Sequence, residues 1–90
     1  MITITIPTPL RRFCGNQHAV EVDATTLEQA FDALGNDHHE LVQRIMTADK
    51  KIRPFVNVFV GNEDCRNLAG MATPLTNGQK ITIMSAFAGG

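Results

Sequence analysis

The first run of the chain, "ITITI", alternates strictly between apolar and polar residues. Ile2, Ile4 and Ile6 fall on one face of a strand, and Thr3 and Thr5 on the other. Pro7 and Pro9 end that run, and a loop containing Cys14-Gly15-Asn16 leads to a second alternating segment, "HAVEVDA". There Val20 and Val22 oppose Glu21, so the two runs predict an opening hairpin. The period then changes from two to that of a helix. Leu27, Ala30, Phe31 and Leu34 form one apolar stripe, Thr25 and Glu28 have the spacing of a capping box, and Gly35 stands where a left-handed cap would stop the helix. A second box, Asp37 with Glu40, predicts a shorter helix whose apolar side is Leu41, Val42, Ile45 and Met46, closed by a loop over "TADKKIRP". In "FVNVFV" alternation returns, with Val56, Val58 and Val60 on one face and Phe55, Asn57 and Phe59 on the other. Gly61-Asn62 predicts a tight turn into a short strand, "EDCR". The segment "NLAGMATPL" has no period and is expected to wander along the surface. Asn77-Gly78 then turns the chain into a last strand, "KITIM", with Ile81 and Ile83 facing inward. Two strands, two helical pieces and three strands, without an internal repeat, predict an α+β sheet with a helix on one face.

Ninety residues make one domain with one modest core. The hydrophobic fraction of 43% and the charged fraction of 19% place it among ordinary globular chains. A formal net charge of -1 gives no general attraction for phosphate backbones or anionic lipid, so neither nucleic acid nor a membrane surface is an expected partner. The start "MITITIPTPLRR" lacks the basic and long apolar regions of a secretory signal, which makes a cytoplasmic location the default expectation. Cys14 and Cys65 form neither a CxxC pattern nor a disulfide framework. Cys65, in the short strand, is expected to be a buried small apolar residue, whereas Cys14, beside Gly15 in a loop, could be exposed. His18, His38 and His39 are spaced unlike a zinc site. No Ser or Cys elbow with a base beside it suggests a nucleophilic enzyme.

The chain ends on "SAFAGG". Terminal glycines lack Cβ atoms and can approach other backbones closely, and the six residues from Ser85 extend to about 20 Å, enough to enter a narrow site in another protein. Taken with the element order, "FVNVFVGNEDCR" and "LAGMATPLTNGQKITIMSAFAGG" resemble the MoaD/ThiS sulfur carriers, most closely the thiocarboxylate carrier of cysteine synthesis. The shared pattern is a strand of the form FVN-x-[FY]-V, an acidic turn with Asp and Arg, a Gly-containing "LA-T" loop and a closing strand ending in AGG.

That resemblance implies a β-grasp, or ubiquitin-like, fold: a mixed sheet with one main helix packed on one face, a single domain over residues 1–90 and a tail over about 85–90. It also implies a carrier that is a substrate rather than an enzyme and binds no cofactor of its own. An E1-like activating enzyme would use ATP to adenylate the carboxylate of Gly90, sulfur would displace the adenylate, and a PLP-dependent cysteine synthase would accept the thiocarboxylate. Gly89, Ala88 and Phe87 would form the slim stem. Molybdopterin synthesis, with a large synthase subunit as acceptor, thiazole synthesis, and ubiquitin-like conjugation through Gly90 share the same tail and stay open.

If the Val56, Val58, Val60 face meets the helix stripe, alternation forces Phe55 and Phe59 onto the opposite side, where Met84 joins them. Carriers of the family dock partners through that sheet face, which makes these three a candidate partner patch; a minor second cluster beneath loops is the alternative. Arg66, after the acidic turn, is a candidate for pairing with an acidic partner group or else an ordinary solvated charge.

Overall fold

The computed structural model describes residues 1–85. The opening strand β1 (Ile2–Thr5) pairs antiparallel with β2 (Ala19–Val22), Ile2 opposite Val22 and Ile4 opposite Val20. The connection between them is more ordered than a loop. Residues Thr8–Cys14 wind into a 3-10 helix, which Gly15 closes at a left-handed φ of 66°. Proline at the start costs this helix nothing, because the first N–H groups have no internal acceptor. Its reward is burial: Leu10 and Cys14 point into the core, so Cys14 is shielded rather than exposed, with 1% of its surface accessible.

Helix α1 (Leu27–Asp37) carries the stripe expected of it, and Leu27, Ala30, Phe31 and Leu34 are all buried. Both of its ends differ from expectation. The cap is Thr26, extended in backbone, whose Oγ1 accepts the Gln29 N–H at 3.2 Å; the Gln29 Oε1 in turn accepts from the Thr25 N–H and hydroxyl at 3.0 and 2.8 Å. Gln at the third helical position serves as Glu would, which moves the box one residue along. Gly35 does not stop α1. Its missing Cβ would lie 3.5 Å from the Val42 Cγ2, so the glycine sits where the next helix approaches. The break comes at His38 (φ -137°, ψ 63°), after which α2 (His39–Ile45) begins without a side-chain cap. Asp37 therefore closes α1 instead of capping α2.

The remaining strands are β3 (Val56–Val60), β4 (Glu63–Asp64) and β5 (Lys80–Ser85), which complete a five-stranded sheet in the order β2-β1-β5-β3-β4. β5 runs parallel to β1 and antiparallel to β3, so the sheet is mixed. Cys65 lies just past β4 in a 3-10 turn over Cys65–Asn67, and a second such turn covers Gly70–Ala72. This segment is anchored rather than wandering. Thr73 is buried, its hydroxyl donating to the Gly70 carbonyl at 2.6 Å and accepting the Ala69 N–H at 3.2 Å. Its own carbonyl takes the Leu27 N–H at 3.0 Å, and the Leu75 N–H reaches Thr25 at 2.9 Å, which ties the segment to the head of α1.

One core results, with Ile4, Val58, Ile81 and Ile83 of the sheet meeting Leu27, Phe31, Leu34, Leu41 and Ile45 of the helices. At roughly 1.5–3 kcal/mol for each large apolar side chain removed from water, this layer contact is the main stabilising term. The mixed sheet with its helices on one face is a β-grasp arrangement.

Candidate partner face and tail root

Because side chains alternate, the strands that bury Val56, Val58, Val60, Ile81 and Ile83 must present the residues between them on the other face. Asn57 stands directly opposite Met84, and Phe59 opposite both Thr82 of β5 and Asp64 of β4. Directly opposed residues bring their side chains within contact range, and diagonal neighbours are still within reach of long ones. Met84 is 52% exposed and Phe59 half-buried, so together they give the face an apolar centre that solvent still reaches. Beside it the Thr5 hydroxyl donates to the Ile81 carbonyl at 2.9 Å and lies 3.3 Å from that of Thr82, giving the face a polar margin along β1.

Arg66 closes the opposite margin. Its Nε donates to Asp64 Oδ1 at 3.1 Å and its Nη2 to Oδ2 at 2.8 Å, a two-pronged pair reinforced by the Arg66 N–H to Oδ1 at 2.9 Å. Nη2 also donates to Asn57 Oδ1, which bends the guanidinium back over the sheet. Hydrogen bonds from Arg66 hold the Asp64 carboxyl below the usual carboxylate range, and Asp64 raises Arg66 in return. The charge that sequence reasoning picked out is therefore fixed in orientation by Asp64 and Asn57, two residues that reasoning did not choose. The Asp two residues before the Arg was the available signal, since that spacing favours a side-chain turn.

The candidates do not all assemble. Phe59, Met84 and Arg66 share the outward face. Phe55 lies in the turn ahead of β3, 60% exposed, and lines a cavity against α1 and α2, because the strand ladder begins only at Val56. The tail positions Phe87, Ala88, Gly89 and Gly90 lie outside the described residues. Their root is placed: Ser85, counted above with the tail, is paired in β5 opposite Val56, one position past the Asn57–Met84 pair.

Cys65 is buried, and loss of water pushes its thiol up from the ordinary value. Among the described residues no three His, Cys, Asp or Glu side chains gather as metal ligands, and no helix is long and apolar enough to cross a membrane.

With this geometry in view, the likeness to known proteins is specific. The profile of the ThiS family matches residues 4–90. The chain belongs to the ThiS family. A sulfur carrier protein, CysO of Mycobacterium tuberculosis, is 35% identical over 91 residues, spanning 99% of this chain and 98% of the relative. The crystal structure of that organism's CysO superposes with a TM-score of 0.89 at 32% identity, over 97% of this chain and all of the other. A chain of the Amycolatopsis orientalis BexX/CysO complex matches over the full length of both, with a TM-score of 0.91 and 32% identity. The ubiquitin-like β-grasp fold that the resemblance implies is thus shared with these solved structures.

Proposed function

We propose that this ThiS-family chain carries sulfur as a thiocarboxylate on Gly90 and gives it up to a synthase that makes cysteine. What supports this reading is the near-full-length likeness to a protein named as a sulfur carrier, together with a family match that runs through residue 90. The chain acts as a substrate. In an activating enzyme of the E1-like kind, the Gly90 carboxylate attacks the α-phosphate of ATP and releases pyrophosphate. A hydrosulfide equivalent then adds to the acyl-adenylate carbon and expels AMP, leaving the C(=O)S⁻ group and a proton. The activation is needed because a free carboxylate is a poor electrophile and AMP a good leaving group. Ala88 and Gly89 keep the stem narrow, while Phe59, Met84 and the Asn57-held Arg66 form the docking face for the acceptor, a PLP-dependent synthase in this reading. ATP belongs to the activating enzyme, and the carrier itself needs no cofactor.

Intact-mass measurement of the protein from its own host tests the reading. The expected product is heavier by about 16 Da, with the increment placed by fragmentation on Gly90 rather than on Met84 or any other Met or Cys, where oxidation would put it. Deleting Gly90 should abolish it. Absence of the increment under sulfur-replete conditions, or its persistence after that deletion, refutes the proposal.

A further inference from the structure

The layer away from the sheet face carries charge that sulfur carriage does not use. The chain has eight Lys and Arg, and those at positions 11, 12, 44, 50, 51 and 53 all fall on the 3-10 helix Thr8–Cys14, α2 and the loop that follows α2. Folding brings these segments together. The guanidinium carbons of Arg12 and Arg44 lie over the same ring, that of Phe13, at 4.9 and 4.7 Å, which joins two distant stretches into one basic ridge.

From Arg44 the ridge borders a cavity of about 860 Å³. Val42 and the exposed Phe55 supply the accessible apolar wall, with buried Phe31 and Met46 behind it, whereas Arg44, Lys50 and Arg53 supply cations. Their charge is only lightly offset. Lys50 Nζ stays 3.9 Å from Asp32 Oδ1, with both side chains more than half exposed. The Arg53 Nε is anchored to the Gln43 carbonyl at 2.9 Å, a neutral acceptor that orients the guanidinium without cancelling it. Asp49, the one acid between positions 41 and 55, is turned to the Thr47 hydroxyl.

We propose that this cavity is a second docking surface, which seats an acidic segment of a protein partner with one apolar side chain inserted between Val42 and Phe55. Complementary charge selects the partner's carboxylates, and the recessed apolar wall selects a side chain between them. A nucleic acid fits less well, since a phosphate backbone needs an extended track of cations and gains nothing from an apolar recess. The surface lies on the helix layer, across the sheet from Phe59 and Met84, so one partner can hold the chain here while another occupies the sheet face. It stands whether or not Gly90 carries sulfur.

Titration of the ¹⁵N-labelled full chain with the blocked peptide Glu-Asp-Leu-Phe-Glu-Asp tests it, with a short single-stranded oligothymidylate as the competing polyanion. The expected result is shifts confined to residues 12–13, 31–32 and 39–55, and binding weakened about tenfold by Arg44→Glu with Arg53→Glu. Raised salt should weaken it in the same direction, and Lys80→Gln should leave it unchanged. Arg53→Gln alone, which keeps size and polarity, should show a smaller loss of the same sign with an unchanged melt. Absence of shifts, shifts on β3 and β5, undiminished binding by the double variant, or tighter binding of the oligothymidylate overturns the proposal.

Discussion

Replacing Gly35 by Ala asks whether this glycine is there for its backbone or for its lack of a side chain. A glycine ending a helix in the left-handed conformation would make Ala costly, by roughly 1–2 kcal/mol. Gly35 instead lies inside α1, two residues before its end, and is absent from the residues with positive φ. There, Gly→Ala recovers roughly 0.5–1 kcal/mol, chiefly by restricting the unfolded chain. Packing does not reverse the sign. The nearest atom to the new methyl is Val42 Cγ2 at 3.5 Å, an ordinary contact distance. A gain of that size raises the melting temperature of a chain this long by roughly 2–8 °C. Gly35→Val should do the opposite, since its branches would extend toward Val42. Circular-dichroism melts of the three proteins decide the matter. A lower melting point for the Ala variant would refute the reading that residue 35 is helical with room beside Val42 for a methyl group.

The Asp64 carboxyl should titrate below the ordinary carboxylate range, and Arg66→Gln should move its midpoint back up; carbon-detected NMR of the carboxyl reads this, and an unmoved midpoint refutes the pairing. Because the folded-state pKa is depressed, the stability contributed by this pair is present above the unfolded carboxylate pKa and is lost as pH falls through the folded one. Thr73→Val should cost about 1–3 kcal/mol in urea unfolding, since both part-buried hydrogen bonds of the Thr73 hydroxyl, from the Ala69 N–H and to the Gly70 carbonyl, are lost; a neutral result would show that the segment finds another partner. Both native thiols should react with a disulfide reagent only as fast as the fold opens, being buried at Cys14 and Cys65 and, for Cys65, further slowed by a raised pKa. A burst of one thiol per chain would refute that placement.

The regular elements were legible because their signals are local. Alternation marked β1, β3 and β5, and the spacing of Leu27, Ala30, Phe31 and Leu34 marked α1. What escaped depends on residues distant in sequence. Gly35 looks like a cap until Val42 is seen to pack beside it. Thr73 looks like a loop residue until its carbonyl is found accepting from Leu27. The 3-10 helix over Thr8–Cys14 lies in a proline-bearing segment whose burial of Leu10 and Cys14 no short-range period announces. The sheet face shows the same division: alternation placed Phe59 and Met84 together, but the clasp of Arg66 by Asp64 and Asn57 follows only from the register of β3 with β4. Phe55 was misplaced by extending the alternation one residue beyond the paired strand.

The strand order has a consequence for how the molecule is made. β5 lies between β1 and β3 and, among the described residues, alone bridges the two halves of the sheet. Until Lys80–Ser85 arrives, β1 with β2 and β3 with β4 are two separate hairpins, and isolated hairpins are marginal in water. A chain broken off before residue 80 therefore cannot close its sheet, and it leaves the inner edges of β1 and β3 unpaired beside exposed Ile4 and Val58, the state most open to aggregation and proteolysis. Placing the last strand in the middle thus works as a completeness check: the sheet closes only around a chain synthesised as far as the root of its tail.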